Sequence, residues 1–120
     1  IAIVPSVAGY RSLPRANAYS ATKAALIAMA ESLKFDLDRA GVMINLVNPG
    51  FVKTPLTDRN DFPMPFLMPV EAAAKRIADG LARGRFEIAF PRRFAALLKL
   101  MRILPYALYF PVVGRTTQRR

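Results

Sequence analysis

The sequence predicts an α/β chain built on a parallel sheet. Three observations carry that reading: an apolar, β-branched run at residues 1–4, an alanine-rich helical periodicity over residues 17–40, and a second apolar run at residues 42–47. A strand, a helix and a strand joined by short connections form a crossover unit whose two strands lie parallel.

Each element has a local reason. Residues 1–4 form an uninterrupted apolar run stopped by Pro5, which suits a strand buried on both faces. Residues 6–14 read as a loop. Leu26, Met29, Ala30, Leu33 and Leu37 then recur at helical spacing, with Gly41 just past the expected end. Residues 42–47 read as the second strand, which Asn48, Pro49 and Gly50 end in a sharp turn.

Residues 51–69 are rich in proline yet carry Phe62, Met64, Phe66, Leu67 and Met68, and an apolar loop of this length reads as a lid or a substrate wall. Val70, Ala73, Ala74, Ile77 and Leu81 mark a second helix closed by Gly84. Its outer face is expected to pair Glu71 with Lys75 and Asp79 with Arg83. Residues 86–90 alternate as a third strand ended by Pro91. From Arg92 to Leu104, the residues Phe94, Leu97, Leu98, Met101 and Leu104 share one helical face, while Arg92, Lys99 and Arg102 lie away from it. This last helix is amphipathic and basic.

Composition narrows the chemistry. With 120 residues, 53% of them hydrophobic and 22% charged, the chain is a packed globule of one domain or part of one. It contains no cysteine and no histidine, which excludes disulfides, Cys or His zinc sites, thiol nucleophiles and Ser-His-Asp triads within it. Carboxylate, lysine and tyrosine remain for proton transfer.

The net charge is +10, and after Glu87 every charged residue is basic: Arg92, Arg93, Lys99, Arg102, Arg115, Arg119 and Arg120. Such a tail suits an anionic surface. The uncharged stretch at residues 103–113 contains Pro105 and Pro111 and falls far short of the roughly 20 residues a spanning helix needs. Nucleic-acid binding is not expected, because the basic residues alternate with aliphatic ones and form no recognised binding motif.

The residues that could do chemistry are few. Tyr19 and Lys23 stand four apart on the first helix, so they project from one face about a turn apart. An adjacent ammonium favours the phenolate form of a tyrosine, and such a pair can act as a general acid or base. Ser6 follows the carboxyl end of the first strand, the end at which ligands bind in open parallel sheets. Its hydroxyl could hold a substrate oxygen beside Tyr19. On its own, a Tyr-x-x-x-Lys pair is more often a packing contact of an amphipathic helix.

Context changes that balance. The run Ile3-Val4-Pro5-Ser6-Val7-Ala8-Gly9, the run Tyr19-Ser20-Ala21-Thr22-Lys23-Ala24-Ala25-Leu26 and the run Asn48-Pro49-Gly50-Phe51-Val52-Lys53-Thr54-Pro55 stand in order. Together they resemble the short-chain dehydrogenase/reductase family. The resemblance implies the carboxy-terminal half of a Rossmann-like, doubly wound parallel sheet. Residues 1–90 would form part of the catalytic half, and residues 91–120 a basic amphipathic extension and tail. It implies an NAD(P)-dependent oxidoreductase, moving hydride between NAD or NADP and a small-molecule alcohol or ketone.

In that scheme Tyr19 transfers the proton, Lys23 assists it and holds the nicotinamide ribose, and Ser6 orients the substrate oxygen. Pro49, Gly50, Val52 and Thr54 would contact the nicotinamide amide and a nearby phosphate. Phe62, Met64 and Phe66, with Leu67 and Met68, would form a lipophilic substrate wall, or simply pack a core. The resemblance further implies a homo-oligomer formed through the long helix, by Ala24, Ala28 and Phe35. A cytoplasmic location, or a membrane-peripheral one with contact through residues 92–113, is the matching expectation.

The departures are informative. Pro5 stands where many relatives carry a second serine, and no Gly-x-x-x-Gly-x-Gly turn or Asn-Asn-Ala-Gly block occurs in the sequence. The phosphate-binding turn, the adenosine pocket and the family's active-site asparagine are therefore not among these residues. The chain is expected to be part of a complete enzyme and to be inactive alone, with a first strand whose edge is unpaired. The reading from another class is a non-catalytic remnant or interaction module, binding a membrane surface or a partner through its basic helix.

Overall fold

The computed structural model, which describes residues 1–117, lays three parallel strands side by side in chain order. Strand β1 is Ala2–Ile3, β2 is Asn45–Pro49 and β3 is Glu87–Phe90. Helix α1 (Asn17–Arg39) crosses from β1 to β2, and α2 (Val70–Ala82) from β2 to β3. Two further helices, α3 (Arg92–Arg102) and α4 (Tyr106–Thr117), complete the described chain. Register is set by Ala2 against Asn45, then Val47 against Ile88 and Asn48 against Ala89.

Because side chains alternate across a strand, β2 faces two ways. Leu46 points into a cluster with Val7 and Tyr10, Ile27 and Ala30 of α1, and Phe94, Ala95 and Leu98 of α3. Its neighbour Val47 points the other way, into a cluster with Ala73 of α2 and with Ile88 and Phe90. The sheet is thus covered on one face by α1 and α3 and on the other by α2, the layering expected for parallel strands. Full burial of a side chain such as Leu46 or Phe90 stabilises the fold by about 1.5–3 kcal/mol.

Several sequence expectations are corrected. The first strand is shorter than residues 1–4 and is not buried on both faces, since Val4 is 52% exposed and Ile1 more so. The cause is position: β1 pairs only with β2 among the described strands. The second strand begins at Asn45, not residue 42, because Gly41 (φ +70°) turns the chain and the Val42 N–H donates back to the Leu37 carbonyl. It also runs on through Asn48 and Pro49.

On α1, Ile27 and Ala30 are buried whereas Met29 and Leu33 are exposed. On α2 the ion pair that forms is Lys75 with Asp79 at 2.9 Å, not the two pairs expected; the Lys75 ammonium holds the Asp79 carboxyl below its ordinary range. Helix α3 stops at Arg102 rather than at residue 104, and the apolar stretch after Pro105 forms α4, with Pro111 inside it. Arg119 and Arg120 lie outside the described residues.

Two contacts fix the carboxy-terminal helices. The Tyr109 hydroxyl donates to the Ser12 carbonyl. The Arg11 guanidinium lies 4.1 Å from the Tyr109 ring centre and 5.0 Å from that of Tyr106. These are cation–π distances.

Candidate functional site

The sheet ends place the site. Ser6 follows β1, and its position is set by its own hydroxyl: Oγ accepts from the Ala8 N–H at 3.2 Å and starts the 3₁₀ turn Val7–Gly9. The same hydroxyl donates to the Pro49 carbonyl at the end of β2, at 3.4 Å. Ser6 is buried and bridges two adjacent strand ends.

Gly9 then carries this turn onto α1. A Cβ at Gly9 would stand 2.9 Å from the Lys23 backbone carbon and 2.6 Å from Ile27 Cδ1. Only a residue without a side chain allows the turn to approach the helix so closely. Tyr19, Lys23 and Ile27 recur every four residues and share one stripe of α1. The stripe that receives the Ser6 turn is therefore the one that carries Tyr19 and Lys23.

Tyr19 is 54% exposed and Lys23 is half-buried. The Lys23 ammonium lies 5.4 Å from the centre of the Tyr19 ring. Among the described residues neither polar end takes a hydrogen bond or an ion pair, so a phenol and an ammonium stand side by side with their capacity unspent. Such a donor set fits a ribose and a substrate oxygen.

The residues after β2 are more self-contained. The Gly50 N–H donates to the Phe90 carbonyl at 2.8 Å, and a Cβ on Gly50 would come within 3.0–3.2 Å of Pro91, Phe94 and the Phe90 carbonyl. The Val52 carbonyl accepts from the Thr57 hydroxyl at 2.9 Å. Thr54 and Thr57 bond each other: the Thr54 N–H donates to Thr57 Oγ1 at 2.8 Å, and the Thr57 N–H to Thr54 Oγ1 at 3.3 Å. Thr54 therefore serves a local turn, and among the described residues no hydrogen bond joins it to Ser6, Tyr19 or Lys23.

The aromatic loop is anchored. Phe51 lies 6.1 Å from Phe62 and stacks on Phe94 at 5.9 Å, and Phe66 packs on Phe94 at 5.8 Å. Met64 Sδ accepts from the Asn60 amide at 3.4 Å. Phe66 is held at φ +58°, a left-handed conformation that costs a bulky residue about 1–3 kcal/mol and persists only where neighbours fix it. Phe62 and Phe66 remain partly exposed, whereas Met68 packs against the Val47 cluster.

Sequence reasoning passed over Tyr10 and Asn48. Asn48 is fully buried; its amide donates to the Tyr10 hydroxyl at 3.0 Å, while its Oδ1 has no partner among the described residues. Burial, helped by Glu87, pushes the Tyr10 phenol well above its ordinary range, so it stays neutral as the acceptor. In the sequence Asn48 reads as part of the turn that ends the second strand, and no local signal marks its partner Tyr10. A concavity of about 640 Å³ between α2 and α3, lined by Arg76, Arg85, Arg92 and Glu87, lies elsewhere and includes none of Ser6, Tyr19 and Lys23.

Comparisons with known proteins bear on the family and the fold. A family model described as short chain dehydrogenase matches residues 1–62. An uncharacterized oxidoreductase of Myxococcus xanthus is 43% identical over 106 residues, covering 88% of this chain and 42% of that protein. The 3-oxoacyl-[acyl-carrier-protein] reductase FabG of Rickettsia prowazekii is 38% identical over 56 residues, 47% of this chain and 23% of that protein. Among solved structures, a short-chain dehydrogenase from Sphingobium yanoikuyae in complex with NADPH superposes on 100% of this chain and 45% of its own, with TM-score 0.70 and 23% identity. It shares the fold. The chain thus spans less than half the length of these relatives. On its matched residues, its parallel sheet and its oxidoreductase relatives, the chain belongs to the short-chain dehydrogenase family.

Proposed function

We propose that this chain supplies the proton-transfer site of an oxidoreductase that interconverts a lipophilic secondary alcohol and its ketone with NAD or NADP. The observation that carries the proposal is the pairing of unspent Tyr19 and Lys23 side chains on the stripe that receives the Ser6 turn. NAD or NADP supplies the hydride acceptor or donor when bound. Lys23 and Tyr19 would hold its ribose, with Pro49, Gly50 and Val52 offering backbone groups at the strand end. Thr54 takes part only if it releases Thr57.

The chain's own groups do the rest. Ser6 Oγ gives up its long bond to the Pro49 carbonyl and donates to the substrate oxygen. In the reducing direction the Tyr19 hydroxyl passes its proton to that oxygen as negative charge develops there, and the neighbouring Lys23 ammonium stabilises the phenolate left behind. Phe62, Met64 and Phe66 line the apolar side and exclude water from the reacting carbon. A second copy of the chain would dock on α1, where Ala24, Ala28 and Phe35 share one exposed stripe.

The test is consumption of NADH or NADPH by the full-length protein against a panel of ketones graded from short and polar to long and apolar. The expected outcome is turnover that rises with apolar size, with Phe62→Ala and Phe66→Ala raising KM for the apolar members. No consumption with any ketone, or rates indifferent to the ketone offered, would sink the reading.

A further inference from the structure

We infer that the surface formed by α3 and α4 docks on an anionic lipid surface. No charged residue stands between Arg102 and Arg115, and among the α4 residues whose burial is described only the stripe of Tyr109 and Val113 is buried. Tyr106, Leu108, Phe110 and Val112 face outward on the other sides. A helix apolar all round belongs inside a core or in an apolar medium, and here the core covers one side alone.

The exposed side is organised. The rings of Tyr106 and Phe110 stack 5.4 Å apart and within 9° of parallel. Ile103, 76% exposed, sits at the joint between the helices. On α3, Arg93, Leu97 and Leu100 follow one another at i,i+4 and i,i+7, so an exposed apolar stripe leads to an arginine.

Charge selects the occupant. Arg93, Arg102 and Arg115 are exposed and flank the apolar stretch along the chain, and no acidic residue occurs after Glu87, which is itself paired with Lys99. A second copy presenting the same face would set arginines against arginines. Anionic headgroups would neutralise them while the rings and aliphatic side chains enter the acyl boundary. Helix α4 is about 18 Å long, and among the described residues no helix is long and apolar enough to cross a membrane. It therefore lies along the interface. The Arg11 and Tyr109 contacts hold it in this attitude against the loop that follows β1.

The test is co-sedimentation of the full-length protein with vesicles of phosphatidylcholine alone and of phosphatidylcholine mixed with phosphatidylglycerol. The protein is expected to sediment with the mixed vesicles only, and to be released by salt. Arg93→Gln and Arg115→Gln should each weaken binding about fivefold. The double variant Ile103→Asp, Phe110→Asp should abolish it with an unchanged circular dichroism spectrum. Equal sedimentation with both vesicles, or with neither, overturns the inference. So does light scattering that shows a dimer without lipid which the double variant dissociates, since a second copy would then own this face. The readout is independent of turnover, so it can fail while the oxidoreductase reading stands, and the reverse.

Discussion

The β1–α1–β2 unit and the α3–α4 pair are built on opposite plans. In the first, a few polar groups at strand ends and on one helix stripe are brought together by close backbone approach, with Gly9 against Lys23 as the decisive contact. In the second, motif residues play no part: α3 buries Phe94, Ala95 and Leu98, and α4 keeps a largely apolar surface facing outward. The lesson is that one sheet supports two kinds of information. Spacing gathers polar side chains in one region, and the balance of burial and charge leaves an apolar, basic surface in the other.

The largest effects should come from breaking the tie between the two regions. Phe94 is buried and packs on both Phe51 and Phe66, so Phe94→Ala should cost about 3–5 kcal/mol in urea denaturation. Leu98→Ala should cost about 2–5 kcal/mol, while Leu100→Ala, two residues on and exposed on the opposite face, should stay within about 0.5 kcal/mol. Equal effects at Leu98 and Leu100 would mean that α3 does not pack as described.

Next in size is Gly9→Ala. The added Cβ would crowd the backbone of Lys23, and overpacking of this kind costs about 1–3 kcal/mol. Turnover should fall with it, because the Ser6 turn would shift off α1. A variant of full stability and full activity would remove the contact from the account. Smaller still is Tyr109→Phe, which deletes the donation to the Ser12 carbonyl and should cost about 0.5–1.5 kcal/mol.

A further effect, beside the cost of stranding the buried Asn48 amide in Tyr10→Phe, appears at alkaline pH. The Tyr10 phenol is raised in the folded state, so the folded chain keeps a proton that the unfolded chain releases above about pH 10. Stability from this group is complete below that pH and is lost as pH rises through the folded value. Tyr10→Phe should therefore flatten the alkaline limb of a stability profile, and an unchanged limb would contradict the assignment.

Much of the first region was legible in the sequence. The β-branched runs, the spacing of Tyr19 and Lys23 and the Gly41 and Gly84 helix ends are local signals, and the two glycines do adopt positive φ. What was not legible depends on neighbours. The exposure of Val4 reflects a strand paired on one side, and the choice of Asp79 by Lys75 reflects side-chain reach on α2. Helix α4 was hidden because Pro105 and Pro111 read as breakers, although Pro105 precedes the helix and its carbonyl accepts from the Leu108 and Tyr109 N–H groups. The Tyr10–Asn48 bond joins residues 38 apart in sequence, beyond the reach of any local pattern.

The central claim rests on a hydroxyl that takes no hydrogen bond among the described residues and whose loss should therefore leave the fold intact. The direct measurement is kcat of the full-length protein and of Tyr19→Phe with one turned-over ketone, alongside thermal melts of both. Equal melting and a kcat lowered by about 10²–10⁴-fold are expected; equal melting with kcat unchanged would remove Tyr19 from the proton transfer.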